Sequence, residues 1–142
     1  MTILLATLLA TAMMAGLSWF VSIVHYPLFA LVGQPEWRDY HAAHSSRTTW
    51  VVVGPMVVEL VGSGALLAWR PAGVGAAPVV AGLVLAVAAW TVTFACSVPD
   101  HGRLSRSYDR HVGRRLERFH HLRTALWSAH AVLLCGLVLA AR

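Results

Sequence analysis

Four apolar stretches, each long enough to cross a bilayer, limit what this chain can fold into. They lie near residues 3–24, 50–69, 78–98 and 122–141. About 20 apolar residues in a helix span the roughly 30 Å hydrocarbon layer. Lipid offers no partner to an unpaired backbone group, so each stretch must be helical. Charged residues are 12% of the chain, 58% of its residues are hydrophobic and its mean hydropathy is +0.65. Soluble domains carry about 25% charged residues. The pattern therefore predicts an all-α fold. It is one integral membrane domain over residues 1–142, a four-transmembrane-helix bundle built from two tandem helical hairpins, with the lipid bilayer as its solvent. Trp50 and Trp69 bracket the second stretch at a separation that suits two interfacial tryptophans. The first stretch has no basic residue before it and no small-residue cleavage site, and is expected to be a retained helix rather than a signal peptide.

All eleven basic residues are arginine. Nine lie in or beside the connections that follow the first and third stretches: Arg38, Arg47, Arg103, Arg106, Arg110, Arg114, Arg115, Arg118 and Arg123. Arg70 and Arg142 lie at the opposite end. The positive-inside rule then predicts a bacterial-type inner-membrane protein with both long connections cytoplasmic and both termini outside. The net charge of +5 reads as this topology signal together with anionic-lipid contact, not as a nucleic-acid site. Cys96 and Cys135 differ in depth by about 15 Å, too far for a disulfide, and read as small apolar fillers.

Seven of the eight histidines fall at the arginine-rich ends of the apolar stretches. His25 closes the first, His41 and His44 precede the second, His101 follows the third, and His111, His120 and His121 precede the fourth. Imidazole is the commonest metal ligand and the group that titrates near neutral pH. Convergence of these rings would build a site. His41 and His44, spaced i and i+3, share a helix face. Glu59 lies eighteen residues, or five turns, after His41 and points the same way in a straight helix.

Glu59 sits midway between Trp50 and Trp69, where an acid costs roughly 2.5–3.5 kcal/mol on insertion scales. It reads either as a protonated acid hydrogen-bonded to a neighbouring helix or as a proton carrier, ligand or acid/base. His130, at similar depth in the fourth stretch, is its expected partner. Thr7, Thr11, Ser18 and Ser22 in the first stretch, and Thr93 and Ser97 in the third, repeat at helical spacing and read as interhelical glue.

The order span, proline, connection, His-x-x-Arg-Thr, Trp, span occurs twice. His44 to Thr48 leads to Trp50, and His120 to Thr124 leads to Trp127, with Pro27 and Pro99 ending the preceding spans. An internal duplication would make His44 and His120 counterparts about an axis along the membrane normal. Pro35 and Glu36 suit the start of a helix running through Ala68, with Pro55 kinking it. Residues 109–121 read as an interfacial amphipathic helix with Arg110, Arg114, Glu117 and Arg118 on its wet side. Glu117 and His120 form one E-x-x-H, but a second copy and the partner glutamates of a di-iron bundle are missing.

His25-Tyr26-Pro27-Leu28-Phe29, Tyr40-His41-x-x-His44-x-x-Arg47 and Val53-Gly54-Pro55-Met56-x-x-Glu59-Leu60 resemble the first half of the anthrone-oxygenase-like family of small four-helix integral membrane proteins. Val98-Pro99-x-His101-x-x-Leu104 and Arg123-Thr124-x-x-Trp127 resemble its second half. The family pattern has Asn-Trp before the Arg-Thr and a basic residue three after the Trp. Here those places carry His120-His121 and His130, which adds potential ligands or proton carriers. The resemblance implies oxidation of anthrones to anthraquinones in aromatic polyketide pathways.

These readings combine into a membrane oxidoreductase or oxygenase acting on a hydrophobic aromatic or quinone-like small molecule. His25, His41, His44, His101 and His120 would hold a transition metal (iron, copper or zinc) or move protons. Glu59 and His130 would act as deep acid/base, and Arg47 and Arg123 would orient a substrate oxygen unless they contact lipid phosphate. Trp90, Phe94 and Trp127 would line the apolar wall. Anthrones lose a proton readily, so a base and oxygen without a metal is a variant of the same idea. The alternatives are a bis-histidine haem-binding electron carrier, pairing His25 with His101 or His44 with His120, and a proton-coupled transporter subunit using Glu59 and His130. Gly64-x-x-x-Ala68 offers a face for a homodimer.

Overall fold

The computed structural model describes residues Met1–Ala141 and consists of four long helices, each apolar and long enough to cross a membrane. Helix α1 covers Thr2–Leu31, α2 Gln34–Ala68, α3 Ala76–Leu104 and α4 Arg110–Ala140. No strand occurs among the described residues. The helices pack as a ring, α1 against α2 and α4, and α3 against α2 and α4. The chain thus forms two hairpins side by side, as the alternation of spans and connections predicts. Arg142 lies outside the described residues.

The buried side chains fall into three layers. Val21, Tyr26, Phe29, Trp37, Leu104 and Leu116 fill the arginine-rich end. Met14, Ala15, Met56, Ala89 and Trp127 fill the middle. Leu4, Leu66, Val79, Leu134 and Leu137 fill the far end. Large apolar residues such as Leu9, Val61, Val132 and Leu139 point outward, the face a lipid-embedded bundle presents.

Two local features aim the site. In α1 the helix widens into a π-turn at Val21–His25, and in α3 at Thr93–Ser97. The amide of Tyr26 bonds the carbonyl of Val21, five residues back, and Val98 does the same to Thr93. The physical cause lies two residues beyond each turn. A helical proline lacks an N–H and its ring collides with the carbonyl four residues earlier. For Pro27 that carbonyl belongs to Ile23, and for Pro99 to Ala95, the central residues of the two wide turns. Widening relieves the collision without ending the helix. The duplicated prolines thus mark a duplicated bulge.

Helix α2 begins beside Pro35 and passes through Pro55 without a break. At about 1.5 Å per residue its 35 residues extend about 52 Å, well beyond the hydrocarbon layer. Helix α4 corrects one expectation. Residues 110–121 are not a separate interfacial helix but the first turns of a continuous helix ending at Ala140. No proline interrupts the hydrogen-bond ladder after Arg110, so the amphipathic segment runs on into the span. Its wet face is as anticipated, with Arg110, Arg114 and Arg118 exposed and Glu117 half-buried, while Gly113, Leu116 and His120 are buried on the other face. The α2–α3 turn pivots on Gly73, whose φ of 80° favours glycine and whose missing Cβ makes room for the carbonyl of Ala140.

Candidate functional site

The wide turns bring the polar ends of α1 and α3 towards the projecting ends of α2 and α4. His25 Nε2 lies 2.7 Å from His44 Nδ1, and His41 Nε2 lies 3.1 Å from His101 Nδ1. The ring centres of His41, His44 and His101 are 5.3, 5.5 and 6.3 Å apart. Four of the five anticipated histidines therefore form one contiguous cluster. Phe29 and Trp37 pack against it edge-on or tilted. The ring nitrogens face one another rather than a common point. Among the described residues, no group of three or more His, Cys, Asp or Glu side chains is arranged to hold a metal ion.

His120 stands apart from that cluster. Its Nε2 lies 3.1 Å from the carbonyl oxygen of Ser18. A carbonyl only accepts, so Nε2 carries the proton and Nδ1 of the neutral ring keeps its lone pair. That Nδ1 is buried and has no partner. Three residues on, Arg123 is 7% exposed. Its guanidinium donates to Ser97 Oγ at 3.1 Å and lies 4.8 Å from the ring centre of Trp127, while its Nε has no partner. No carboxylate is paired with it among the described residues. His120 and Arg123 both line a cavity of about 290 Å³ that also touches Tyr26, His44, His101 and Ser97. Leu17, Val21, Val52 and Val98 supply its apolar walls.

Tyr26 links the two groups. Its hydroxyl lies 2.9 Å from His101 Nε2, and its ring centre 4.7 Å from that of His120. Beyond His101 and His41 lies a cleft of about 330 Å³ lined by Arg38, Ala42, Ser45 and Ser105 at the arginine-rich end. A hydrogen-bonded chain from Tyr26 through His101 to His41 thus joins cavity to cleft.

Deeper in the bundle the Glu59–His130 pairing is present as anticipated. His130 Nδ1 lies 2.7 Å from Glu59 Oε1, and Trp127 Nε1 donates to Oε2 at 2.8 Å. All three side chains are fully buried. Neither Glu59 nor His130 lines the cavity, and Trp127 stands between this pair and Arg123.

The remaining predicted residues scatter. Arg47 is exposed and borders a different cavity from Arg123, so the two arginines do not form one clamp. Trp90 is half-buried and stacks on Phe94 with ring centres 5.4 Å apart, while Phe94 is 56% exposed and turned away from the cavity. Trp127 is a wall of the deep pair rather than of the cavity. Sequence reasoning passed over Tyr26 as a functional group, although it lies inside the quoted His25-Tyr26-Pro27. It also missed Asp100, fully buried and held by Arg103 at 3.2 Å and Arg115 at 3.3 Å. A lone acid between Pro99 and His101 in an arginine-rich connection was the available signal.

No model of a known protein family matches the chain, and neither does any curated protein or solved structure.

Proposed function

We propose that the protein is a membrane-embedded oxidoreductase of the oxygenase kind, acting on a hydrophobic aromatic or quinone-like molecule that bears a weakly acidic hydrogen. One observation carries this reading. A single apolar-walled cavity holds a buried guanidinium without a carboxylate and, three residues away, a buried imidazole nitrogen without a partner. His120 Nδ1 has the lone pair to take a proton as the general base. Arg123 supplies a fixed positive charge for the oxyanion that results, in surroundings where such a charge acts strongly. The carbon of the substrate anion then bonds dioxygen, the co-reactant, to give a peroxide. Once that is protonated, its O–O bond breaks as the second hydrogen leaves the same carbon, which yields the carbonyl product and water. His120 gives its proton back to that peroxide, and the chain from Tyr26 through His101 to His41 keeps the cavity in proton exchange with the arginine-rich end. The resemblance to the anthrone-oxygenase-like proteins favours the same chemistry, and we propose membership of that family on the quoted motifs.

The test is oxygen uptake by anthrone in the presence of purified protein in nanodiscs. Wild type is expected to accelerate it, and His120→Ala and Arg123→Met each to lower that acceleration by about 100-fold. Acceleration unchanged in both variants would refute the assignment.

A transition metal is the second reading, favoured by the spacing of His41, His44 and His101. Three imidazoles on one tetrahedral ion would set their ring centres about 5 Å apart. The fit is partial, because the His25–His44 and His41–His101 contacts would have to open first. Elemental analysis of protein purified without a histidine tag decides it, with iron, copper or zinc below about a tenth of an equivalent ending the metal reading. Haem has less support, since the Nε2 atoms of His25, His101 and His120 are already engaged by His44, Tyr26 and the Ser18 carbonyl. Proton-coupled transport through Glu59 and His130 has less again, because neither residue lines any of the three cavities described above.

We infer from the arginine distribution that the histidine end faces the cytoplasm of a bacterial-type inner membrane, with both termini outside. A homodimer through Gly64 and Ala68 belongs to the same proposal, supported by the open space above Gly64.

A further inference from the structure

A second cavity, of about 360 Å³, lies against the first between α1 and α2. Phe20 and Val51 line it and are 54% and 46% exposed, which places its mouth on the apolar outer face of the bundle. Exposed Arg47 also lines it, at the polar end of that face. Four residues, Leu17, Val21, His44 and Thr48, line both this cavity and the one holding Arg123. The wall between them is one side chain thick.

The polar part of that wall has competing partners. His44 Nδ1 lies 2.7 Å from His25 Nε2 and 3.2 Å from Thr48 Oγ1. One ring nitrogen offers a single lone pair or a single proton, so the two contacts compete for it. Turning the His44 ring trades one polar partner for another.

We propose that the outer cavity is a lateral entry site, where an amphipathic aromatic molecule with an acidic oxygen leaves the bilayer on its way to Arg123. The proposal rests on the oxygenase reading above. Such a molecule partitions into one leaflet with its ring among the acyl chains and its oxygen near the headgroups. The outer cavity has the same polarity, with Phe20, Leu17 and Val51 for the ring and Arg47 for the oxygen. Arg47 and Arg123 occupy equivalent places in the two His-x-x-Arg-Thr repeats. One meets the oxygen at the surface and the other receives it in the interior. Passage requires only that His44 and Thr48 give way. A hydrophobic substrate would thus avoid crossing water to reach its base.

Ala43 lines the outer cavity alone and is exposed, so Ala43→Phe fills the entry without touching the inner wall or the helix core. The probe is 2-hydroxy-1,4-naphthoquinone dissolved in phosphatidylcholine vesicles that carry the full chain, and stopped-flow tryptophan quenching reads its binding. Ala43→Phe is expected to slow association and dissociation together by about tenfold, with Kd unchanged within about twofold, because a path and not a contact has been altered. Thr48→Val leaves His44 Nδ1 bonded to His25 alone, with no second partner to turn to, and should slow both. Arg123→Met should raise Kd about tenfold without slowing entry. Wild-type rates in Ala43→Phe would overturn the entry route and leave the inner site standing. A raised Kd in Ala43→Phe would make the outer cavity the binding site itself, and would equally overturn it. Absence of saturable binding to wild type would remove the inner site and the route together.

Discussion

Glu59 of α2 and Arg123 of α4 are both ionisable residues buried in a bilayer-spanning bundle, with Trp127 between them. They are treated in opposite ways. Both carboxyl oxygens of Glu59 are taken, one by His130 and one by Trp127, away from the cavity that Arg123 lines. Arg123 has one hydroxyl and one aromatic face, leaves its Nε unpartnered and opens on a cavity. A buried polar group that is fully satisfied holds a fold together, whereas one left short is held for something that arrives. Cost at the membrane centre draws the eye to Glu59, and His130 Nε2 beside it is also unpartnered, but only Arg123 and His120 join a missing partner to a place on the cavity wall, which moves the candidate chemistry to them.

The largest expected effect tests this contrast directly. Glu59→Leu strands Trp127 Nε1 and His130 Nδ1 in a closed interior and should cost about 3 kcal/mol or more. Arg123→Met removes a lone buried charge and should be neutral or stabilising, even with its contact to Trp127 lost. Thermal unfolding in one detergent compares the two. Arg123→Met destabilising the protein more than Glu59→Leu would break the comparison.

How far the site was legible in the sequence follows the same division. Glu59 and His130 could be paired from depth alone, because a buried acid in lipid needs a partner and few exist. The spans and the start of α2 at Pro35 followed from length and capping chemistry. The histidine cluster followed from its confinement to one end of every span. Arg47 and Arg123 could not be told apart, since both sit in His-x-x-Arg-Thr before a tryptophan. What separates them is the neighbour. Arg123 faces α1 and the wide turn of α3, whereas Arg47 sits on the outer side of α2. The wide turns escaped because a proline near a helix end reads as a terminator. The contact between Tyr26 and His101, one beside each wide turn, exists only once the helices have packed. The unpartnered Nδ1 of His120 depends on the Ser18 carbonyl, 102 residues away, and no local pattern encodes it.

A smaller effect sharpens the account of the deep pair. A Cβ on Gly82 would meet His130 Nε2 at 3.2 Å and Cδ2 at 3.6 Å. Glu59 fixes that ring, so it cannot step aside. Gly82→Ala should therefore cost about 1 kcal/mol despite the better helix propensity of alanine. Gly136→Ala, in the same bundle with nothing within 4 Å, should gain up to about 1 kcal/mol. Repeating Gly82→Ala in the Glu59→Leu background frees the ring, and its cost should shrink. An unchanged cost would mean that His130 is held by packing rather than by Glu59.

The smallest effect carries the rule of satisfied groups out of the bilayer. Asp109 caps α4, its Oδ1 accepting from the amides of His111 at 2.7 Å and Val112 at 2.9 Å. Those two backbone donors hold its carboxyl below the usual carboxylate range. A lowered folded-state pKa means that the ionised cap contributes its full stabilisation above the unfolded-state value, near 3.9. The contribution is lost as pH falls through the folded-state value. Asp109→Asn keeps an acceptor but has nothing to titrate, so its melting temperature relative to wild type should be slightly low at neutral pH and should converge in acid. Asp109→Ala should lie below both at neutral pH, because no acceptor remains for the two amides. The exposed cap exchanges freely with water, so each shift should be far smaller than that of Glu59→Leu, although both side chains hold two hydrogen-bond partners. Equal shifts at the two positions would mean that burial contributes nothing to the value of a satisfied acid, and the contrast between Glu59 and Arg123 would lose its physical basis.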